Sequence, residues 1–333
     1  MKQNLHTHTF YCDGQNTVTE MIRSAILKDF DVLGFSGHSF TYFDKSYCMT
    51  EEGTEDYISD VLAAKNFFKK DPELAANFYA YMSEYKKPLR IYLGTEQDLY
   101  SEQPALRAEN GLFGPGYKNG VYDYVIGSTH AFLLSWGEVS DLMGPGKSFV
   151  DPFIDGIEAD FEGAFIYVDN KPEAVTWSVE NIWHGDALGF AEAYFRDEAR
   201  ITEDTDCDIV GHFDLLLKYN EKYGLFDESS VRYRNARDMA LERIMGTFRT
   251  KGRRPLFEVN TGAMAKGYRT VPYPSEETVK VIRDMGGQFI INSDCHKEEC
   301  LDYGFAEAKD LLSGCGCKKE LIDVPGGKLE IYV

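Results

Sequence analysis

Short apolar, β-branched and aromatic runs recur along the chain, and most of them end in polar residues that chemistry can use. They are Asn4-Leu5-His6, Val32-Leu33-Gly34-Phe35-Ser36, Ile91-Tyr92-Leu93-Gly94, Tyr124-Val125-Ile126-Gly127, Asp208-Ile209-Val210-Gly211, Leu256-Phe257-Glu258-Val259-Asn260 and Phe289-Ile290-Ile291-Asn292. Short continuous runs of this kind predict strands buried on both faces. Helical patterns separate several of them. Thr17 is placed to cap a helix, with Glu20 three residues later and Met21, Ile22, Ala25 and Ile26 on one face. The stretches 55–70, 235–250, 275–285 and 301–313 predict further helices. Seven strands alternating with helices predict a parallel α/β barrel. Two intervals are too long for a simple helical return. Residues 39–89 hold a turn region around Tyr42–Met49 and then helices, and residues 131–207 are Gly-rich and acidic at first, then helical from Lys171 to Ile201. Inserts after strand ends are where such barrels build lids and substrate pockets. With no repeat, low-complexity tract or linker, the expectation is one domain over 1–333 with an insertion around 131–207.

Composition narrows the class. The 333 residues are 43% hydrophobic and 14% aromatic, which excludes a disordered chain, and no apolar run is long enough to span a bilayer. Lys and Arg number 35 against 55 Asp and Glu, a net of −20 that repels nucleic-acid backbones and anionic lipid. Met1 leads almost at once into Asn4-Leu5-His6-Thr7-His8, leaving no room for a signal peptide. The seven cysteines are scattered without a CxxC pair, so reduced thiols and a cytoplasmic location are expected. Cys315-Gly-Cys317 alone lacks the four ligands of a structural zinc site.

The histidines carry the chemistry. Of seven, six follow a predicted strand within a few residues: His6 and His8 the first, His38 the second, His130 the fourth, His212 the fifth and His296 the seventh. Glu96 follows the third strand, Asp294 the seventh, and Asp13 sits in the loop after the first. Parallel barrel strands end on one face, so these nine side chains are expected to converge. Imidazole and carboxylate together ligate zinc, manganese or iron, and nine ligands exceed what one ion needs. Two or three divalent transition metals are therefore implied, with a bridging carboxylate. Two ions roughly 3.5–4 Å apart activate a shared water as a bridging hydroxide and clamp a developing oxyanion, which suits phosphoester cleavage.

The segments His6-Thr7-His8-Thr9-Phe10-Tyr11-Cys12-Asp13-Gly14, Gly37-His38-Ser39, Gly94-Thr95-Glu96-Gln97-Asp98, Gly127-Ser128-Thr129-His130, Gly211-His212-Phe213-Asp214 and Ser293-Asp294-Cys295-His296 resemble, in order, the motifs of the PHP (polymerase and histidinol phosphatase) superfamily. Ser46-Tyr47-Cys48-Met49, Tyr167-Val168-Asp169-Asn170, Ala191-Glu192-Ala193-Tyr194-Phe195, Glu258-Val259-Asn260-Thr261 and Tyr273-Pro274-Ser275 resemble its histidinol-phosphatase branch. The resemblance implies a distorted (β/α)7 barrel with an inserted lid region and a trinuclear site. It also implies a phosphatase acting on L-histidinol phosphate in histidine biosynthesis. By that analogy one metal takes His6, His8, Glu96 and Asp294, a second shares Glu96 and adds His130 and His212, and a third takes Asp13, His38 and His296. His6, His8, Glu96, His130, His212 and Asp294 would then form the catalytic set. Three departures bear on the substrate: residues 131–165 read as an insertion relative to compact members, Arg196 stands where a carboxylate often follows the Tyr/Phe pair, and Cys295 replaces a small apolar residue.

A phosphate dianion needs local positive charge in so acidic a protein. Arg196, Lys218, Lys266 and Arg269 are the candidates, each with a solvated surface cation as the alternative. Tyr194 is a candidate pocket wall or a core aromatic. His184 is a substrate contact or a surface-loop histidine, and Asp98 and Asp214 orient neighbouring groups or make structural bonds. The expected partner is a small phosphorylated metabolite, with no nucleic acid and no membrane. Other small esters or mononucleotides would use the same metals. An amidohydrolase would not need Glu96 where it stands, nor His38 and His296.

Overall fold

The computed structural model describes residues 1–81, 87–101, 105–144 and 163–333. These hold, in chain order, β1 (Gln3–Asn4), β2 (Val32–Phe35), β3 (Arg90–Asp98), β4 (Tyr124–Ser128), β5 (Ala131–Ser135), β6 (Gly163–Tyr167), β7 (Ile209–Val210), β8 (Leu256–Asn260), β9 (Gln288–Asn292), β10 (Lys319–Val324) and β11 (Gly327–Tyr332). The main sheet has the order β1-β2-β3-β4-β7-β8-β9-β11-β10, and its first seven strands are parallel neighbours. Those seven are the runs that the hydrophobic pattern predicts.

The parallel sheet curls until its two ends touch. A parallel bridge joins Thr7 to Cys295, with His8 N–H donating to the Cys295 carbonyl at 3.0 Å. Below it, the amide of Leu5 donates to Asn292 Oδ1 at 2.8 Å and Asn4 Nδ2 to Ser293 Oγ at 2.6 Å. Closure through one bridge and side chains, rather than a full ladder, is the distortion of this (β/α)7 barrel.

Side chains alternate across a strand, so every second residue faces the barrel axis. At the lower end these residues are apolar: Leu5, Val32, Tyr92, Tyr124, Ile126, Ile209, Leu256 and Ile290 form one buried cluster. The same register carried upward places Glu96, Ser128, Glu258, Asn260 and Asn292 toward the other end. Gly34 and Gly94 make room for the Tyr124 ring; a Cβ on Gly94 would stand 2.3 Å from Tyr124 Cζ. The outward residues, among them Leu33, Phe35, Leu93, Val125, Phe257 and Val259, pack under the helices in a second buried cluster. The helix Val18–Leu27 begins with the expected capping box of Thr17 and Glu20.

Three features differ from the sequence reading. The hairpin of β10 and β11 was not predicted; it lays Ile322, Leu329 and Ile331 against the barrel floor, and β11 pairs antiparallel with β9. The first part of the insertion forms a second hairpin, β5 with β6, while 145–162 lie outside the described residues. Its Phe165 stacks on Phe43 at 4.4 Å, joining the hairpin to the turn region after β2. The expected helix from Lys171 to Ile201 is three helices, Pro172–Asn181, Ala187–Glu198 and Ile201–Asp204. The first break falls where His184 and Gly185 adopt positive φ and Asp186 caps the next helix. Among the described residues no helix is long and apolar enough to cross a membrane.

Candidate functional site

Nine side chains converge at the polar end of the strands, around Glu96 at the upper end of β3. Glu96 is buried and faces both ways. Its Oε2 lies 3.2 Å from His6 Nε2, 3.5 Å from His8 Nε2 and 3.0 Å from His38 Nδ1. Its Oε1 lies 3.0 Å from His212 Nε2 and 3.6 Å from His130 Nε2, and accepts from Ser128 Oγ at 2.6 Å. Asp294 Oδ1 stands 3.1 Å from His8 Nε2 and 3.7 Å from His6 Nε2. Asp294 adopts φ 48°, a left-handed conformation that Asp tolerates better than most residues and that aims its carboxylate inward. At the mouth, Asp13 Oδ2 is 3.0 Å from His296 Nε2, and its Oδ1 is 3.7 Å from His38 Nε2.

Neighbouring acceptors turn several rings. His6 Nδ1 donates to Glu258 Oε1 at 2.7 Å, His130 Nδ1 to Asp98 Oδ1 at 2.8 Å, and His296 Nδ1 to the Asp294 carbonyl at 3.0 Å. Because a carboxylate or carbonyl only accepts, the proton of each neutral ring sits on Nδ1 and the Nε2 lone pair faces the cluster. Glu258 also accepts from Asn292 Nδ2 at 2.9 Å, Asn260 Nδ2 at 2.7 Å and the backbone amide of His212 at 3.2 Å. It is wholly buried in β8.

The electrostatics are those of concentrated negative charge. Burial opposes a charge on His6, but Glu258, Glu96 and Asp294 outweigh it and raise its pKa well above 6.5. At His130 burial is likewise outweighed, by Asp98 and Glu96, and the pKa rises to about 10. His8 goes the other way, down to about 3, through burial and the neighbouring His296 and His38. Burial would raise Glu96 and Asp294, yet the surrounding imidazoles hold both well below the carboxylate range.

These residues fit divalent cations. His6 Nε2, His8 Nε2, His38 Nδ1 and Glu96 Oε2 are buried and make no hydrogen bond. Leaving such a group unsatisfied costs about 1–3 kcal/mol each. The donors gather in overlapping sets within bonding reach of single ions: His6, His8 and Glu96; Glu96, His130 and His212; His8, Asp13, His38 and His296; and His38, Asp98 and His130. A cavity of about 230 Å3 opens over them, lined also by Asp44, Tyr47, Tyr167, Lys218, Lys266 and Tyr273.

The PHP domain model matches residues 4–261. The chain belongs to the PHP family. Its matched span stops short of Asp294 and His296, so the site draws on residues beyond it. Among solved structures, a candidate histidinol phosphatase, hisK, from Listeria monocytogenes aligns with TM-score 0.61 and 18% identity, over 92% of this chain and 99% of that one. Histidinol phosphate phosphatase from Lactococcus lactis, solved with zinc, L-histidinol and phosphate, aligns with TM-score 0.55 and 13% identity, over 98% of each chain. No curated protein matches significantly in sequence.

The cations expected near this PHP site divide. Lys266 lines the cavity, its Nζ 3.5 Å from His296 Nε2. Lys218 lines it too, tied to Asp169 Oδ2 at 2.9 Å. Arg196 does not: it lies on the outer face of its helix, bound to Glu138 and Asp197, and borders a separate groove with Arg232 and Arg243. Arg269 is buried behind the wall, donating to the Leu217 carbonyl at 2.8 Å and stacking on Tyr273 at 4.7 Å. Tyr194 is a core aromatic whose hydroxyl donates to the Phe213 carbonyl at 2.9 Å. His184 is exposed and bonded to the Leu142 carbonyl, and Asp214 accepts from the Ser275 amide, so neither reaches the cavity. All seven cysteines are free thiols, and burial raises Cys12 and Cys295 to about 12, which suits neither to nucleophilic attack. The residue that sequence reasoning left without a role is Glu258. Its signal was a carboxylate at an inward position of an otherwise apolar strand.

Proposed function

We propose that this PHP protein is a metal-dependent phosphomonoesterase that converts L-histidinol phosphate and water to L-histidinol and phosphate, a step of histidine biosynthesis. The observation that carries the reading is Glu96, a buried carboxylate set between two groups of imidazoles, in the first of which His6 Nε2, His8 Nε2 and His38 Nδ1 face it without a hydrogen-bond partner. His6, His8, Glu96 and Asp294 would hold one ion, Glu96, His130 and His212 a second, and Asp13, His38 and His296 a third, as zinc, manganese or iron. When bound, such ions activate water and neutralise charge on phosphoryl oxygens.

The rest falls to the protein. Glu258 and Asp98 hold the His6 and His130 rings so that the donors are oriented before substrate arrives. Lys266, at the mouth beside His296, offsets the charge of an incoming phosphate dianion in a chain of net charge −20. Tyr273, fixed by Arg269, and Tyr47 wall the cavity against bulk water. The Lactococcus lactis structure, with its zinc, L-histidinol and phosphate, supports both the metal and the substrate. The acidic surface favours a small metabolite over long nucleic acid or anionic lipid.

The test is phosphate release by metal-reconstituted protein from L-histidinol phosphate, beside sugar phosphates, amino-acid phosphates and mononucleotides. A kcat/KM of at least ~10⁴ M⁻¹s⁻¹, within the usual range for a physiological substrate, is expected for L-histidinol phosphate. A far better rate with another ester would keep the phosphatase and replace the substrate. No release from any ester by metal-loaded protein would refute the reading.

A further inference from the structure

The cavity has two chemically different walls. One is the histidine and carboxylate cluster with Lys266; the other is built by the turn region after β2 and by the residues that end β6. Two carboxylates stand on the second wall. Asp169 is matched by Lys218, whose Nζ lies 2.9 Å from Oδ2 and 2.8 Å from its carbonyl. Asp44 is not matched: its Oδ1 accepts only the backbone amide of Ser46 at 2.8 Å, and among the described residues no cation pairs with it. Beside it stands Tyr47, whose hydroxyl is buried without a hydrogen-bond partner and whose ring meets His38 edge-on at 4.9 Å. Tyr47 therefore spans the distance between the cluster and Asp44.

Asp44 is also held in place. Its carbonyl accepts from Thr41 Oγ1 at 2.8 Å and from Cys48 Sγ at 3.4 Å, and the preceding Phe43 stacks on Phe165. A fixed carboxylate facing a small cavity spends little ordering entropy on binding, and it loses hydration when a ligand fills the space. A ligand that brings a cation compensates that loss more fully than one that brings neutral donors.

We infer that Asp44 selects the substrate by binding a positively charged nitrogen of the esterified alcohol, so that the site favours phosphate esters of amino alcohols over those of sugars. The inference rests on the phosphatase reading above. Tyr47 supplies the aromatic face and the unpaired hydroxyl beside that nitrogen.

The test compares metal-loaded parent protein with Asp44→Asn. The ratio of kcat/KM for L-histidinol phosphate to that for 4-nitrophenyl phosphate should fall about tenfold or more, the size of one lost charge-assisted contact. Calorimetric titration with L-histidinol should show affinity weakened about tenfold, recovered in part by Asp44→Glu. A ratio and an L-histidinol affinity both within twofold of the parent would overturn the inference. If the parent cleaves neither ester, the phosphatase reading fails, and the L-histidinol titration still decides for or against Asp44.

Discussion

Glu258→Gln is the sharpest test of how the imidazoles are held. The carboxylate accepts four donors: His6 Nδ1 and Asn292 Nδ2 at Oε1, Asn260 Nδ2 and the His212 amide at Oε2. A glutamine of the same shape offers one oxygen and one NH2. With its nitrogen toward Asn260 and the His212 amide, two buried donors face a donor. Asn260 cannot escape by flipping, because its amide also donates to Asp294 Oδ2 and its oxygen accepts from the Gly262 amide. With its nitrogen toward His6, that ring must accept at Nδ1 and carry its proton on Nε2, the atom that faces the cluster. Two hydrogen bonds to a charged group, at about 1.5–3 kcal/mol each, put the stability loss at roughly 3–6 kcal/mol. Partners that orient metal-binding imidazoles are worth about 10–100-fold in metal affinity. The assays are thermal melting of metal-free protein and zinc titration against a competing chelator. Zinc affinity within about threefold of the parent, with an unchanged Tm, would refute the argument that Glu258 fixes the ring.

Other outcomes follow from the same geometry. His8→Ala or Asp294→Asn should abolish phosphate release while leaving the circular dichroism spectrum of the folded protein; full activity in either would sink the assignment of ligands. Glu198, buried with both oxygens unpaired, is pushed by burial up to about 8 from 4.5. The folded state therefore keeps a proton that the unfolded chain releases, and stability falls as pH rises from 4.5 toward 8, by at most about 5 kcal/mol. Glu198→Gln should flatten that dependence and raise Tm at pH 8; melts across that range that superimpose on the parent's would contradict it. Deleting residues 318–333 removes Ile322, Leu329 and Ile331 from the barrel floor. At about 1.5–3 kcal/mol per buried aliphatic side chain, this should leave no cooperative melting transition.

The barrel strands were legible because buried parallel strands are uninterrupted apolar runs, and Leu256–Asn260 matches its predicted bounds residue for residue. The hairpin of β10 and β11 was missed because its outer face is exposed and its pattern is broken by charge at Lys319, Glu320 and Asp323, although Pro325-Gly326-Gly327 marked the turn. Strands β5 and β6 were hidden by the residues that separate them in sequence. Convergence of the histidines followed from their place after strands. Arg196 could not be placed the same way, because the face of a helix depends on where its flanking Phe195 is buried. Glu258 was visible, but its work was not, since His6 lies 252 positions away and only barrel closure brings the two together.

The Gln3 side chain exchanges two hydrogen bonds with the backbone of Glu330, a residue 327 positions later, and Asn4 and Leu5 are secured by Ser293 and Asn292. The strand that carries His6 and His8 can pair with β2 early, but its opposite edge has no partner until the segment from β9 to β11 emerges from the ribosome. Asp294 and His296 follow β9, so the full set of candidate ligands is complete only once that strand has been made. Contacts of such high sequence separation also slow folding. The outer edge of β1 thus stays open longest, and the barrel closes where the ligand set is completed.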